Sequence, residues 1–483
     1  MQALMAAARL LADVLLALAR QVLPSWLIGS SAPDSHGTSR WARSREHKQL
    51  GRIAAAARLR GDGVVLGWHN GRLLQSPAED NVLLFGVQRS GKTSTVVVPT
   101  LLGWQGAAVA TSTKEELVAL TAGHRAGLGP VWVFAPLDRD HSWIEALGLQ
   151  PATWNPLDAV EDCASASELA DHFTADGKRG TSTHWYLAAS SLITGLAVCE
   201  RERGGDMHSL LMRLNRTALS EYIGLSAVVE DATAAMLLVA HANTPDREAG
   251  SIASTARSSL SLWTDDRVAT ATESSDNALD LDRLLALGGT LYLVAPAEEA
   301  ERCRPLFSAL LLSLLRRATT RARALGGVLQ PRLLLALDEA ANFARIPRLA
   351  GYASSGPGQG IQLLLCYHDL AQVESAYGSE SARTIWNNCR ARVLLPGQGD
   401  LKTLEQFSRA MGDETRIFLA YQSDHWRSSS SEQRVGGRSR PSTSSVASDV
   451  RSCSTPTHLR LSSSFAAGTR SPPGANSSVP VHP

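Results

Sequence analysis

The chain has 483 residues, with 47 Lys and Arg against 46 Asp and Glu, for a formal net charge of +1. That length suits about two to four domains rather than one core, and near-neutrality excludes a global field for nucleic acid, so any such contact must come from a local patch. The six cysteines form no C-x-x-C pair, which excludes a zinc ribbon or disulfide framework and reads as six reduced thiols.

Residues 1–29 are apolar but interrupted by Arg9, Asp13 and Arg20. No uninterrupted run of roughly 18 apolar residues exists there to span a bilayer, so the segment is expected to be amphipathic and to dock on a membrane surface or a partner helix. Residues 30–62 form a basic linker, with seven Arg and Lys from Arg40 to Arg60 against one Glu; a solvated helix face is the alternative reading. Strand-like patterns begin at Gly63 with VVLGW and GRLL. From Asn81 the rhythm alternates, with strands predicted at 82–85, 107–110 and 131–134 and a helix opening at Gly91, which Pro99 should kink or shorten. Short, continuously apolar strands separated by helices predict an α/β fold around a parallel sheet covered on both faces.

Around TWNPLDAV the pattern changes, and helix-period segments such as WYLAASSLITGLAVCE predict an all-helical insertion over 161–270 between the two parts of the α/β domain, 63–160 and 271–420. The alternation resumes with a strand within 288–296, a long helix over 304–325, and strands at 332–337, 361–366 and 391–395. From 421 to 483 Ser contributes 18 of 63 residues and apolar periodicity is lost, so a Ser/Arg/Pro-rich disordered tail is expected, a diverged or out-of-frame end.

The chemistry concentrates in two stretches. Gly86, Val87, Gln88, Arg89, Ser90, Gly91, Lys92 and Thr93 match G-x-x-x-x-G-K-[ST], followed by Ser94. In this pattern glycines let backbone N–H groups wrap a phosphate, the lysine neutralises charge and the threonine ligates Mg2+, so a nucleotide is the expected ligand. Hydrolysis also needs acids beside the metal and the attacking water. RLLLALDEA supplies them: an apolar strand ends in Asp338, placed to serve the metal, and Glu339, placed to activate water at the carboxyl edge of the sheet. An Asp-Glu pair that merely solubilises a strand end is the alternative. Lys92 and Asp338 lie 246 residues apart and no N-K-x-D motif is present, which argues against a small GTPase and for a large ATPase with an insertion.

Five blocks in order, GVQRSGKTSTVVVPTLLGWQGAAVATSTKEEL, TWNPLDA, LLLALDEAANFARIPRL, GQGIQLLLCYHDLAQVESAYG and TIWNNCRARVLLPG, resemble the conjugative coupling proteins of type IV secretion systems, the TraG/TraD group. The resemblance covers residues 38–420. It implies a RecA-like P-loop nucleotide-binding domain with an inserted all-helical domain, assembled as a homo-hexamer at the cytoplasmic face of the inner membrane. It further implies ATP and Mg2+ as cofactors, and DNA, a relaxase and secretion-channel components as partners. Two positions depart from the group's pattern. His368 stands where a γ-phosphate-sensing glutamine is usual, and Pro357 stands where an arginine finger for the neighbouring subunit is usual. Arg345, Arg348, Arg390 and Arg392 are the nearby candidates to replace that finger. Two other readings stay open at this point: an FtsK-like DNA-translocating ring ATPase, and a nucleotide-binding docking platform with degenerate hydrolysis.

Overall fold

The structure is a computed structural model that describes residues 61–69, 72–175, 183–216, 218–411, 413–424, 427–438, 451–452 and 457–459. The expected N-terminal amphipathic segment and nearly all of the basic linker lie outside the described residues. Two compact units are present, Met1–Arg40 with Met411–Ser439 and Trp41–Ala410 with Arg440–Pro483.

The second unit holds a small antiparallel pair, β1 (Val65–His69) with β2 (Arg72–Gln75), and a nine-stranded sheet. The strands of that sheet are β3 (Val82–Phe85), β4 (Ala107–Ser112), β5 (Val131–Phe134), β6 (Thr290–Val294), β7 (Leu333–Leu337), β8 (Ile361–Tyr367), β9 (Ala391–Leu394), β12 (Arg451–Ser452) and β13 (Thr457–Leu459). Their order is β12-β13-β9-β3-β8-β7-β4-β6-β5, and every pairing from β13 to β5 is parallel. Successive side chains leave a strand on opposite faces. Leu83 and Phe85 therefore enter one core, together with Leu333, Leu335 and Leu337, while Val82 and Leu84 enter the other with Leu334 and Ala336. Burial on both faces is why these strands read as unbroken apolar runs.

Between β5 and β6 the described residues form helices and turns, including Cys163–Thr174, Thr183–Glu202, Met207–Arg216, Ala232–Ala242 and Asp246–Ser259. Their apolar faces, such as Leu192, Ile193 and Leu196, are continuous with the core on one face of the sheet. The long helix runs Ala297–Ala324, starting seven residues before the predicted 304 and carrying Pro305 in its third turn.

Pro99 acts differently from a simple kink. Thr93–Val97 form a wide π turn, in which Val98 N–H donates to Thr93 O, and an α segment follows over Val98–Gly103 with Pro99 in its first turn. A proline is tolerated at that point because first-turn N–H groups lack intrahelical partners. The five described cysteines are free.

The other unit contributes one described element, an antiparallel hairpin of β10 (Asp413–Asp424) and β11 (Arg427–Arg438). Within the stretch expected to be disordered, β11, β12 and β13 thus carry main-chain pairing, which needs no apolar alternation. The rest of that stretch lies outside the described residues.

Candidate active site

The P-loop begins where β3 ends, and both neighbouring strands pin it: Gly86 N–H donates to Tyr367 O at 3.0 Å, and Leu395 N–H donates to Phe85 O at 2.8 Å. Gly91 holds φ +88°, a region that glycine enters without a Cβ penalty. At Gly86 a Cβ would lie 2.5 Å from Ser90 Oγ, a buried hydroxyl with no hydrogen-bond partner among the described residues. An orphaned hydroxyl inside a turn that a Cβ would fill is the cradle a phosphate oxygen needs. Lys92, 6% exposed, donates from Nζ to Gly86 O at 2.7 Å and Val87 O at 3.2 Å, which holds its ammonium across the mouth of the turn.

The sheet brings Asp338 to this turn. β8 lies between β3 and β7, so the carboxyl ends of the P-loop strand and the Asp-Glu strand flank one crevice. The Thr93 hydroxyl donates to Asp338 Oδ2, Glu339 N–H donates to Asp338 Oδ1 at 3.0 Å, and Thr111 Oγ1 donates to the Asp338 carbonyl at 2.7 Å. Asp338 is 6% exposed. Burial pushes its carboxyl above the ordinary carboxylate range, opposed by the Thr93 hydroxyl and the Lys92 ammonium. A hydroxyl and a buried carboxylate facing each other at a P-loop form an all-oxygen donor pair suited to Mg2+.

Glu339 takes a left-handed conformation, φ +50°, at the start of the short helix Ala340–Phe343. Phe343, fully buried and stacked on Phe307 at 5.6 Å, anchors that turn. The Glu339 carboxylate lies 4.0 Å from His368 Nε2 and accepts from Asn342 Nδ2 at 3.4 Å. His368 follows β8, between the P-loop and Glu339, and its Nε2 has no hydrogen-bond partner among the described residues. Its backbone is held on both sides: the N–H donates to Gln372 Oε1 at 2.8 Å, and the carbonyl accepts from Gln398 Nε2 at 2.6 Å.

The structure therefore brings together Gly86, Ser90, Gly91, Lys92, Thr93, Asp338, Glu339 and His368, whereas Val87, Gln88 and Arg89 belong to the turn through their backbone position in it, and Ser94 lies in the π segment that follows. Arg89 has φ +62°, an uncommon conformation for a residue with a side chain. Thr111, Asn342, Gln372 and Gln398 were missed by sequence reasoning; a polar residue closing an apolar strand is a signal for Thr111, and the glycine-flanked GQG after β9 is one for Gln398.

Pro357 is buried in the turn ahead of β8. Seven strand residues separate it from His368, a span of roughly 20 Å, so it sits at the sheet edge opposite the P-loop. Arg392 is excluded as a finger: 4% exposed, it donates twice to Trp386 O and packs 4.7 Å over the Trp386 ring. A guanidinium so committed has no reach beyond its own core. Arg390 is exposed and lies 3.5 Å from Asp80 at the same edge as Pro357, while Arg345 and Arg348 follow the Glu339 turn.

A family model described as type IV secretory system conjugative DNA transfer matches residues 40–443, which extends the resemblance past 420 into the hairpin. The conjugal transfer protein TraG of Escherichia coli is 26% identical over 79% of this chain and 65% of its own length. The VirD4 protein of Agrobacterium fabrum is 25% identical over 82% of this chain and 59% of its own length. This chain thus spans about two thirds or less of these relatives. Among solved structures, the conjugative coupling protein TrwB in an unbound form shares the fold with a TM-score of 0.62 at 16% identity, covering 90% of this chain and 95% of that one. TrwB in complex with ADP and Mg2+ aligns with a TM-score of 0.58 at 17% identity over 83% and 86% of the two chains. With a RecA-like core in place and the family model matching most of its length, the chain belongs to the type IV secretory system conjugative DNA transfer family.

Proposed function

We propose that this protein is the ATP-driven coupling motor of conjugative DNA transfer, linking a relaxase–DNA substrate to a type IV secretion channel. The observation that carries the reading is the meeting of Thr93 and Asp338 beneath the P-loop, with Glu339 next in the chain. Gly86 through Thr93 would hold the phosphates of ATP, with Lys92 neutralising their charge. Thr93 and Asp338 would hold Mg2+, which neutralises the developing phosphate charge when bound. Glu339 would take the proton of the attacking water, as a carboxylate at the crevice rim can. His368 would report the state of the terminal phosphate from its place between Lys92 and Glu339. The nucleotide and Mg2+ named with TrwB, and the conjugal transfer role in the names of TraG and its relatives, support this reading. Homo-hexamer assembly and attachment at the cytoplasmic face of the inner membrane belong to the same proposal. Among the described residues no helix is long and apolar enough to cross a membrane.

The docking-platform reading is favoured by two specific positions, His368 in place of an amide and the buried Pro357 in place of a finger. One assay separates them. The purified chain should hydrolyse ATP in the presence of Mg2+, with DNA stimulating turnover, and Lys92→Ala and Glu339→Gln should each abolish it. Glu339→Gln should retain ATP binding, since only the proton acceptor is removed. ATP binding by the wild type without any DNA-stimulated turnover would sink the motor and leave the platform.

A further inference from the structure

The segment that leaves β9 runs beside the P-loop. A Cβ at Gly397 would lie 3.3 Å from Val87 Cγ2, and Gly397 takes φ +90°, a conformation open to glycine. That turn carries Gln398 inward, 4% exposed between the exposed Gly397 and Gly399. A buried amide needs partners at both of its ends. Gln398 Nε2 donates to His368 O at 2.6 Å, and Gln398 Oε1 accepts from Asp400 N–H at 3.1 Å. Because a carbonyl only accepts and an N–H only donates, these partners fix which way round the amide lies. Thr403, fully buried in the helix Leu401–Met411, holds the same turn again: its Oγ1 accepts from Leu370 N–H at 2.9 Å and donates to Asp400 Oδ2 at 2.6 Å. Further along that helix the Phe407 ring meets the Phe85 ring edge to face at 5.8 Å, and Phe85 is the last residue before the P-loop. The clamp on residues 368–370 is thus fastened to the strand that carries the phosphate cradle. The His368 ring is held differently from its backbone: Nε2 has no hydrogen-bond partner among the described residues and lies 4.0 Å from the Glu339 carboxylate. A fixed backbone under an uncommitted ring suits a group that takes its partner only when a ligand arrives.

We propose that Gln398 is the positioning residue for His368 in ATP turnover. By holding the His368 carbonyl at a set distance from the P-loop, it keeps the imidazole between the phosphate cradle and Glu339. Gln398 acts through His368 rather than on the nucleotide. The leverage is large, because a misplacement of about 1 Å at a reacting centre can cost about a hundredfold in rate. The inference rests on the motor reading above, because that reading supplies the nucleotide and its turnover.

The test is a double-mutant cycle on the whole chain, read as ATP turnover by phosphate release with Mg2+ and DNA, alongside titration with a fluorescent ADP. Gln398→Glu is nearly isosteric and keeps an oxygen for Asp400 N–H, but its ionised carboxylate has no hydrogen to donate to the His368 carbonyl. Its kcat should fall about tenfold while ADP affinity stays within about twofold of wild type, because the P-loop, Thr93 and Asp338 are untouched. In a His368→Ala background the same substitution should change kcat by less than about twofold, since the side chain it positions is gone. Gln398→Met, uncharged and of similar length, should show the same pattern, and thermal melts confirm that each variant is folded. Wild-type kcat in the Gln398 variants, equal losses with and without the His368 side chain, or full turnover by His368→Ala would each overturn the assignment and leave the motor intact. Absence of ATP turnover in the wild type overturns the motor reading and this assignment together.

Discussion

Arg125 offers a quantitative test of what holds the sheet in place beneath the active site. It lies in the helix Glu116–Ala126, is fully buried, and among the described residues has only neutral hydrogen-bond partners: Trp104 O, Gly106 O at 2.7 Å, Gly288 O at 3.3 Å and Thr290 Oγ1 at 2.7 Å. These four acceptors lie at the entries of β4 and β6, three on the connections and Thr290 as the first residue of β6. One planar guanidinium thus ties together the entries of two neighbouring strands, at the cost of burial that pushes its own pKa down. Arg125→Met keeps the stem and its packing but removes every donor. At about 1 kcal/mol for each of four acceptors left without this donor, the loss is about 4 kcal/mol. Against a total of roughly 5–15 kcal/mol, that is a large fraction. Arg125→Lys should recover little, because a single ammonium cannot address four acceptors spread around a planar fork. Urea unfolding followed by tryptophan fluorescence measures both variants. A loss under about 1 kcal/mol for Arg125→Met would refute the argument, since it would mean that desolvation of the guanidinium cancels its hydrogen bonds.

Thr93→Val removes one of the two oxygen groups proposed to hold Mg2+, and nucleotide affinity measured with a fluorescent ADP should drop at least about tenfold in Mg2+ and little in EDTA. Equal losses in both conditions would argue that Thr93 acts by shaping the turn. His241 is buried, 7% exposed, against the Tyr222 ring at 4.8 Å, and burial pushes its imidazole below 6.5. Because its folded value lies below the unfolded one, its stability contribution is present above about pH 6.5 and is lost as pH falls. The urea midpoint should drop between about pH 7.5 and 5.5, and His241→Phe should lessen that drop; an identical drop in the variant would place the titration elsewhere. At the active site, Glu339→Gln should bind ATP as the wild type does without turning it over, whereas Lys92→Ala should weaken binding as well as abolish turnover, which nucleotide titration and phosphate release measure side by side.

Much of the α/β core was legible because its central strands are buried on both faces, so continuous apolar runs at 82–85 and 131–134 stand out as strands. The long helix was read seven residues short because Glu298, Glu299 and Glu301 hide its amphipathic start and Pro305 imitates a first-turn proline. The strands at 427–438, 451–452 and 457–459 were invisible for a different reason: they pair through the main chain and carry no apolar alternation. Arg392 was a plausible finger by position alone, and only its bonds to Trp386 O removed it.

By itself the sequence determined the nucleotide-binding turn, since G-x-x-x-x-G-K-T is a local device whose backbone geometry is set within eight residues. It also determined the carboxylate pair at the end of an apolar strand, because that chemistry is written in adjacent letters. Only the tertiary structure decided that these two halves, 246 residues apart in sequence, share one crevice. The cause is strand order, with β8 inserted between β3 and β7 and His368 thereby aimed at Glu339.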